Sequence, residues 1–117
     1  MTRRTHRFLL AVVAAAALAA PAAVATEEAM APTQLRQREL MHLLKQDCGA
    51  CHGMRLTGGL GPPLTPQALK DKPVASLVAT IVSGRPGTAM PPWRPFLTEA
   101  EAEWLVARLQ KGDTDAR

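Results

Sequence analysis

Aromatic residues are scarce in this 117-residue sequence, which has no tyrosine, two tryptophans and two phenylalanines. Aromatic side chains bury large apolar areas, so a small domain with four of them has a thin hydrophobic core. Domains of this size often rely on a disulfide, a metal or a prosthetic group for stability. We therefore expect something other than side-chain packing alone to stabilise the fold.

Long apolar runs are absent except near the N-terminus. Residues 8–20 (FLLAVVAAAALAA) are apolar, but the run is shorter than the roughly 20 residues of a membrane-spanning helix. Basic residues precede it, and the small residues that end at Ala25 form a cleavage site. We predict a secretory signal peptide over 1–25 and a periplasmic protein without a membrane span; a retained anchor is the alternative. The Arg3-Arg4 pair lacks the bulky apolar residue of a twin-arginine signal, which favours general secretion.

Basic and acidic residues nearly balance once the signal peptide is removed. The full sequence has 14 Lys and Arg, 10 Asp and Glu, and a formal net charge of +4. Loss of residues 1–25 removes three arginines, which leaves eleven basic residues against ten acidic ones and a net charge of about +1. This balance excludes nucleic acid as the partner. Residues 36–94 hold eight basic and three acidic residues, so a surface that steers an acidic partner and ordinary solvated helix faces both remain open.

The mature chain divides into a flexible lead-in at 26–32, one folded domain at 33–112 and a short tail at 113–117. Within the domain, two segments rich in glycine and proline, at 58–64 (GGLGPPL) and 85–93 (RPGTAMPPW), predict loops. Loops of this rigidity and length are expected to wrap around a bound group.

Helix signals occupy the rest of the domain, and no strand pattern does. Thr33 can cap a helix that runs to about Gln46, with four leucines towards one face: Leu35, Leu40, Leu43 and Leu44. A short turn is expected at 65–70, where Thr-Pro begins it. The domain is therefore predicted to begin with a helix that leads into the cysteines.

Two further helices follow in the second half of the domain. Pro73, at a first helical position, opens the helix at 74–83, and Gly84 ends it. A capping box that starts at Thr98 begins the last helix, which ends before Gly112. The predicted fold class is all-α.

Cysteine is limited to Cys48 and Cys51. A disulfide between residues three apart would close a very small loop and stabilise the fold little. A zinc site needs four ligands, and the mature chain adds only His42 and His52, without finger-like spacing. A thioredoxin-type redox pair follows a β-strand, whereas the segment before Cys48 has a helical pattern. These alternatives all fit the two thiols poorly.

The cysteines belong to the stretch DCGACHG, in which His52 follows the second cysteine at once. The C-x-x-C-H motif is typical of covalent haem attachment, in which two thiols add to neighbouring vinyl groups and the histidine binds the iron. Combined with an export signal and a small helical chain, the motif predicts a protein that carries one covalent haem. The haem would then supply the apolar core that the sequence lacks.

The order of these elements resembles the class I cytochrome c family over essentially the whole mature chain. The resemblance implies a small class I cytochrome c fold, with N- and C-terminal helices that cross and loops wrapped around one haem c. It implies that Cys48 and Cys51 carry the thioethers and that His52 is the proximal iron ligand. It also implies that the Pro62 carbonyl accepts a hydrogen bond from His52 and that Leu64 packs on the haem ring.

The second axial ligand has to come from elsewhere in the chain. The mature chain has four methionines: Met30, Met41, Met54 and Met90. Met54 is tied to the His52 side of the ring, whereas Met90 is far enough along the chain to reach the other face and is followed by two stiffening prolines. We predict Met90 as the ligand; a buried structural methionine is the alternative.

Residues around Met90 could bind the haem propionates. Trp93, Arg85 and Arg94 flank the predicted methionine loop, where a propionate could accept a hydrogen bond or an ion pair. Trp93 is included among the predicted haem-binding residues. Packing or solvent-facing roles are the alternatives for all three.

Ligation by His52 and Met90 would leave no open position on the iron. A thioether favours ferrous iron and raises the reduction potential. The prediction is therefore an electron carrier and not an enzyme. We also expect the protein to be a monomer. If Met90 were not a ligand, the iron would have an open position for gases, and binding of carbon monoxide would detect that position.

A closer resemblance rests on the longer runs GGLGPPLTP and GRPGTAMPPW. They are similar to the small monohaem cytochromes encoded beside the haem cd-type nitrite reductase of denitrifying bacteria. This resemblance implies a periplasmic electron donor to that reductase. It also leaves open an accessory role in d-type haem biosynthesis or reductase maturation, in which the partners are the maturation proteins.

Overall fold

The structure is a computed structural model that describes residues 31–115. The predicted signal peptide, most of the predicted lead-in and the end of the predicted tail lie outside the described residues. Residues 31–115 contain helices and loops and no β-strand, so the predicted all-α class is confirmed. None of the helices in this range is long and apolar enough to span a bilayer.

The described part of the chain contains five α-helices and one π-helical turn. The first helix, α1, continues through the π-helical turn into a short α2 that ends at the motif histidine. Their bounds are α1 Gln34–Leu43, the π-turn Leu44–Cys48, α2 Gly49–His52, α3 Pro66–Leu69, α4 Val74–Ser83 and α5 Glu99–Lys111.

The helix ends follow local signals in the sequence. The Thr33 hydroxyl accepts a hydrogen bond from the Arg36 backbone N–H at 3.3 Å. Thr98 and Glu101 form the predicted capping box, and Gly112 ends α5 in the left-handed conformation. Pro73 differs slightly from the prediction, because it precedes α4 as the N-cap and is not its first helical residue.

The C-terminal helix α5 lies at the centre of the core. It contacts α1, α3 and α4. Its buried residues recur at helical spacing and form one apolar stripe: Ala102, Leu105, Val106 and Leu109. The packing of α1, α3 and α4 against α5 buries this face from water.

The N-terminal helix departs from the predicted pattern at two places. Leu35, expected on the apolar face, is 62% exposed because it lies in the first turn of α1; Met41 is buried instead. The predicted single helix also changes to a π-helical turn at Leu44. A π-turn holds more residues than an α-turn and so redirects the side chains that follow. The turn ends at Cys48, at the start of the motif.

An ion pair joins α1 to α5. Arg36 donates from Nε to Glu101 Oε1 at 2.6 Å and from Nη2 to Glu101 Oε2 at 3.2 Å. The same guanidinium donates to the Phe96 carbonyl at 2.9 Å and to Glu39 at 2.9 Å. The hydrogen bond from Arg36 lowers the pKa of Glu101, and burial only partly opposes this effect. Arg36 thus ties both terminal helices together.

Replacing Glu101 with glutamine is expected to lower the free energy of unfolding by about 1 kcal/mol near neutral pH, because the ionic part of these bonds is lost. The folded-state pKa is depressed, so the stabilisation is complete above the ordinary carboxyl pKa and is lost as the pH falls through the folded-state value. Urea unfolding of the unchanged protein and of Glu101→Gln across this pH range measures the effect, because urea does not screen the ion pair. The difference between them should disappear in acid.

Glu39→Gln is the matched control for this prediction. Glu39 pairs with the same Arg36, but its side chain is 53% exposed and lies on the same helix. An exposed pair of this kind contributes at most about 0.5 kcal/mol. Equal losses of unfolding free energy in Glu101→Gln and Glu39→Gln would contradict the role of Glu101 in joining α1 to α5.

Candidate functional site

A cleft of about 900 Å³ lies between the helices and both glycine- and proline-rich loops. Its volume is within the usual range of cofactor sites. Its walls include core residues, among them Leu44, Leu105 and Val106. All seven predicted haem-binding residues line it: Cys48, Cys51, His52, Pro62, Leu64, Met90 and Trp93.

His52 is held by a backbone carbonyl. It ends α2, is 8% exposed, and its Nδ1 lies 2.7 Å from the Pro62 oxygen. A carbonyl oxygen only accepts hydrogen bonds, so Nδ1 carries the proton and donates. In the neutral ring the lone pair is therefore on Nε2, where it can bind a metal.

The loop after His52 folds back against the motif. Gly58 N–H donates to the His52 carbonyl at 2.8 Å, and Gly61 N–H donates to the Cys51 carbonyl at 2.7 Å. A Cβ atom on Gly61 would lie 2.8 Å from both Cε1 and Nδ1 of His52. Glycine at 61 thus lets the backbone touch the imidazole ring while the next residue holds it.

The two cysteines lie on the cleft wall and are not joined in a disulfide. They are three residues apart in helical backbone, which brings their side chains to one face. Cys51 is exposed, while Cys48 is partly buried. Burial, with a smaller contribution from the charge of Asp47, raises the pKa of Cys48 to about 11.

Only one of the three described methionines lines the cleft. Met90 is partly buried there. Met41 is packed in the hydrophobic core, and Met54 is 65% exposed. Met30 lies outside the described residues. The structure therefore brings Met90, and neither of the other two, to the same cleft as His52.

The end of α4 anchors the loop that carries Met90. Trp93 N–H donates to the Ile81 carbonyl at 3.0 Å, and Arg94 N–H donates to the Val82 carbonyl at 3.2 Å. These carbonyls belong to the last helical turn, where acceptors lack partners within the helix. The buried Gly84 has φ +68°, and a Cβ there would lie 2.7 Å from the Pro91 carbonyl carbon. The two ends of the loop are thus held in contact.

The residues near Met90 lie at two different sites, the cleft and a separate groove. Trp93 lines the cleft, packs on the core and contacts Phe96, with ring centroids 5.8 Å apart. Arg85 also lines the cleft. Arg94 instead borders a separate groove beside Arg36. Of the two arginines near the methionine loop, Arg85 is therefore the one placed to meet a bound group.

The charged residues around the cleft have both signs. Lys72 and Arg85 are accompanied by Asp47 and Asp71 among its lining residues. Arg36, another member of the basic segment predicted from the sequence, is paired with acidic side chains. The lining of the cleft is therefore mixed in charge, and Arg36 adds no free positive charge beside it.

The donor set fits a covalent haem. Two thiols, an oriented imidazole and a thioether line one apolar cleft, as thioether attachment and two axial bonds require. Within residues 31–115, no group of three or more His, Cys, Asp or Glu side chains could hold a metal ion. The zinc alternative thus finds no ligand set in this part of the chain.

Gly61 and Thr88 are among the cleft residues that sequence reasoning missed. The contact of Gly61 with the imidazole depends on how the loop folds back, which spacing does not reveal. Thr88 hydrogen-bonds around Met90. A threonine directly after Pro-Gly was the available signal, because Ser and Thr hydroxyls often bond to nearby turn backbone.

Comparison with known proteins gives a family match over most of the described range. Residues 35–107 match the family described as cytochrome c oxidase, cbb3-type, subunit III. The chain is 62% identical over 82 residues to a cytochrome c55X of Pseudomonas aeruginosa, which covers 70% of this chain and 69% of that protein.

One solved structure and one longer protein add to this finding. A structure described as c-type cytochrome NirC is 59% identical, with a TM-score of 0.71, and covers 73% of this chain and all of that chain. A dihydro-heme d1 dehydrogenase of Pseudomonas aeruginosa is 42% identical over 67 residues, which are 57% of this chain and 14% of that protein.

Proposed function

Since the chain belongs to the family of small c-type cytochromes, which carry covalently attached haem c, we propose that it transfers single electrons in the periplasm as a donor to haem cd-type nitrite reductase. The sequence resemblance to monohaem cytochromes encoded beside that reductase supports this partner. The similarity to the structure named NirC agrees with it. The predicted signal peptide supports the location.

The observation that carries the proposal is the presence of Met90 and His52 in one cleft. When bound, the haem supplies an iron that exchanges one electron between its ferric and ferrous states. His52 and Met90 would both hold that iron, which would leave no position for a substrate. Electron transfer without turnover of a substrate is the function that such a site can perform.

The residues that line the cleft would tune this exchange in the haem-loaded protein. The bond from His52 to Pro62 orients the imidazole and raises its donor strength. As an iron ligand, the thioether of Met90 would favour the ferrous state and raise the potential. The anchored loops hold both ligands in place, so little rearrangement accompanies a change of charge.

A rapid-mixing experiment tests the carrier function. The reduced, haem-loaded protein is mixed with oxidised nitrite reductase, and its reoxidation is followed by absorbance. We expect oxidation within the turnover time of the reductase, with modest salt dependence because the cleft rim has both charges. Failure to reoxidise under these conditions would reject the reductase as acceptor.

An accessory role in making d-type haem is the second candidate. It is favoured by the similarity to part of a protein named dihydro-heme d1 dehydrogenase. Deletion of the coding gene separates the two roles. If the deletion strain contains reductase protein without its d-type haem, the accessory role is supported. If the reductase in that strain contains its d-type haem but receives no electrons, the carrier role is supported.

Replacing Arg85 with glutamine is expected to lower the reduction potential by on the order of tens of millivolts, because a nearby positive charge disfavours the ferric state. Arg94→Gln removes the same charge from the separate groove and should shift the potential less. Spectroelectrochemical titration of both holoproteins measures the difference. Equal shifts would mean that Arg85 has no special position towards the haem.

A further inference from the structure

The segment before Met90 forms a tight turn. Thr88 N–H donates to the Arg85 carbonyl at 3.1 Å, with Pro86 and Gly87 between them. Gly87 has φ +78°, and a Cβ there would meet nothing within 4 Å. Proline at the second position and a glycine with positive φ at the third are typical of a type II turn. The glycine is therefore favoured by backbone conformation and not by lack of space.

The hydroxyl of Thr88 links this turn to Met90. It donates to the Arg85 carbonyl at 2.7 Å and accepts from the Met90 backbone N–H at 3.3 Å. A hydroxyl can both donate and accept, and this one does both within the loop. The Met90 carbonyl accepts in turn from the Arg85 N–H at 3.2 Å. Both backbone polar groups of Met90 are thus bonded, and Thr88 supplies the side-chain bond.

Arg85, Thr88 and Met90, which form this hydrogen-bond network, also line the cleft. We infer that Thr88 is a positioning residue for Met90: its hydroxyl fixes the backbone so that the thioether is presented to the haem iron. A thioether is held on iron more firmly when its loop has little conformational freedom to lose. The inference rests on the proposed function, because it takes Met90 as the axial ligand.

The test compares three substitutions in the haem-loaded protein. Thr88→Val removes the hydroxyl at nearly constant volume, and Thr88→Ser retains it. Thr65→Val is the matched control, because the Thr65 hydroxyl also accepts a backbone N–H at 3.3 Å, at the N-cap of α3. Thr65 is not among the residues that line the cleft. The measurements are the sulfur-to-iron absorption band, carbon monoxide titration of the reduced protein and thermal unfolding.

Carbon monoxide competes with the thioether for ferrous iron, so its apparent affinity follows the fraction of molecules in which Met90 has left. We expect Thr88→Val to weaken the absorption band and to raise the apparent affinity roughly three- to tenfold, as the loss of a hydrogen bond predicts. Thr88→Ser should restore both properties. Thr65→Val should lower thermal stability without changing either of them.

Unchanged carbon monoxide affinity and an unchanged band in Thr88→Val would overturn the inference. So would a change of the same size in Thr65→Val, because it would reflect general destabilisation. Met90→Ala separates this failure from failure of the proposed function. If Met90→Ala alters the band and Thr88→Val does not, only the role of Thr88 is wrong; if Met90→Ala has no effect, the ligand assignment itself is wrong.

Discussion

Replacing Gly61 with alanine is expected to lower the free energy of unfolding by about 1 to 3 kcal/mol and to reduce haem loading, because overpacking of a tight site costs about that much. The added methyl group would lie 2.8 Å from two atoms of the His52 ring. That ring is buried and bonded to Pro62, so it cannot retreat without losing its hydrogen bond. The effect is measured on the variant purified after export, by its haem content per folded molecule and by thermal unfolding.

Gly87→Ala provides the control for this substitution. Gly87 has positive φ but open space around it, whereas Gly61 has no positive φ and no space. Alanine at 87 should therefore cost only the strain of its backbone, about 1 kcal/mol, with normal haem loading. Normal haem loading and stability in Gly61→Ala would show that the imidazole is not held at this contact.

Replacing Met90 with alanine is expected to produce the largest change in the bound haem. The sulfur-to-iron absorption band should disappear, and the reduced protein should bind carbon monoxide. The reduction potential should fall by on the order of 100 mV or more, since axial ligands shift haem potentials over a range of about 0.8 V. Absorbance spectra with and without carbon monoxide, followed by redox titration, measure these effects.

Met54→Ala is the matched control for the ligand. Met54 is two residues from His52 in sequence, but its side chain is 65% exposed and is not among the cleft-lining residues. We expect its spectrum and potential to match those of the unchanged protein. Loss of the band in Met54→Ala, or its retention in Met90→Ala, would show that the ligand has been assigned to the wrong methionine.

The local features of this protein could be predicted from the sequence because the interacting atoms are close along the chain. The N-cap at Thr33 and the capping box at Thr98 each join residues three positions apart. The C-x-x-C-H spacing likewise lies within one helical stretch, so its haem chemistry and the family membership could be recognised without coordinates. The all-α class followed from the same short-range signals.

Long-range contacts could not be predicted in this way. Sequence separation suggested that Met90 can reach the far side of a haem, but only the anchoring of its loop on α4 brings it to the cleft. Arg85 and Arg94 looked equivalent in sequence, and the fold separates them. Leu35 fitted the helical pattern, yet no element within residues 31–115 covers it.

The sequence by itself determined the helices, their caps and the C-x-x-C-H motif that is predicted to attach the haem, because each depends on backbone geometry within a few residues. Only the tertiary structure decided that Glu101 meets Arg36 across 65 positions, that Gly61 touches the His52 ring and that Thr88 holds Met90. Those contacts depend on the paths of the loops and on how α5 packs against the other helices. Periodicity and spacing contain no information on either.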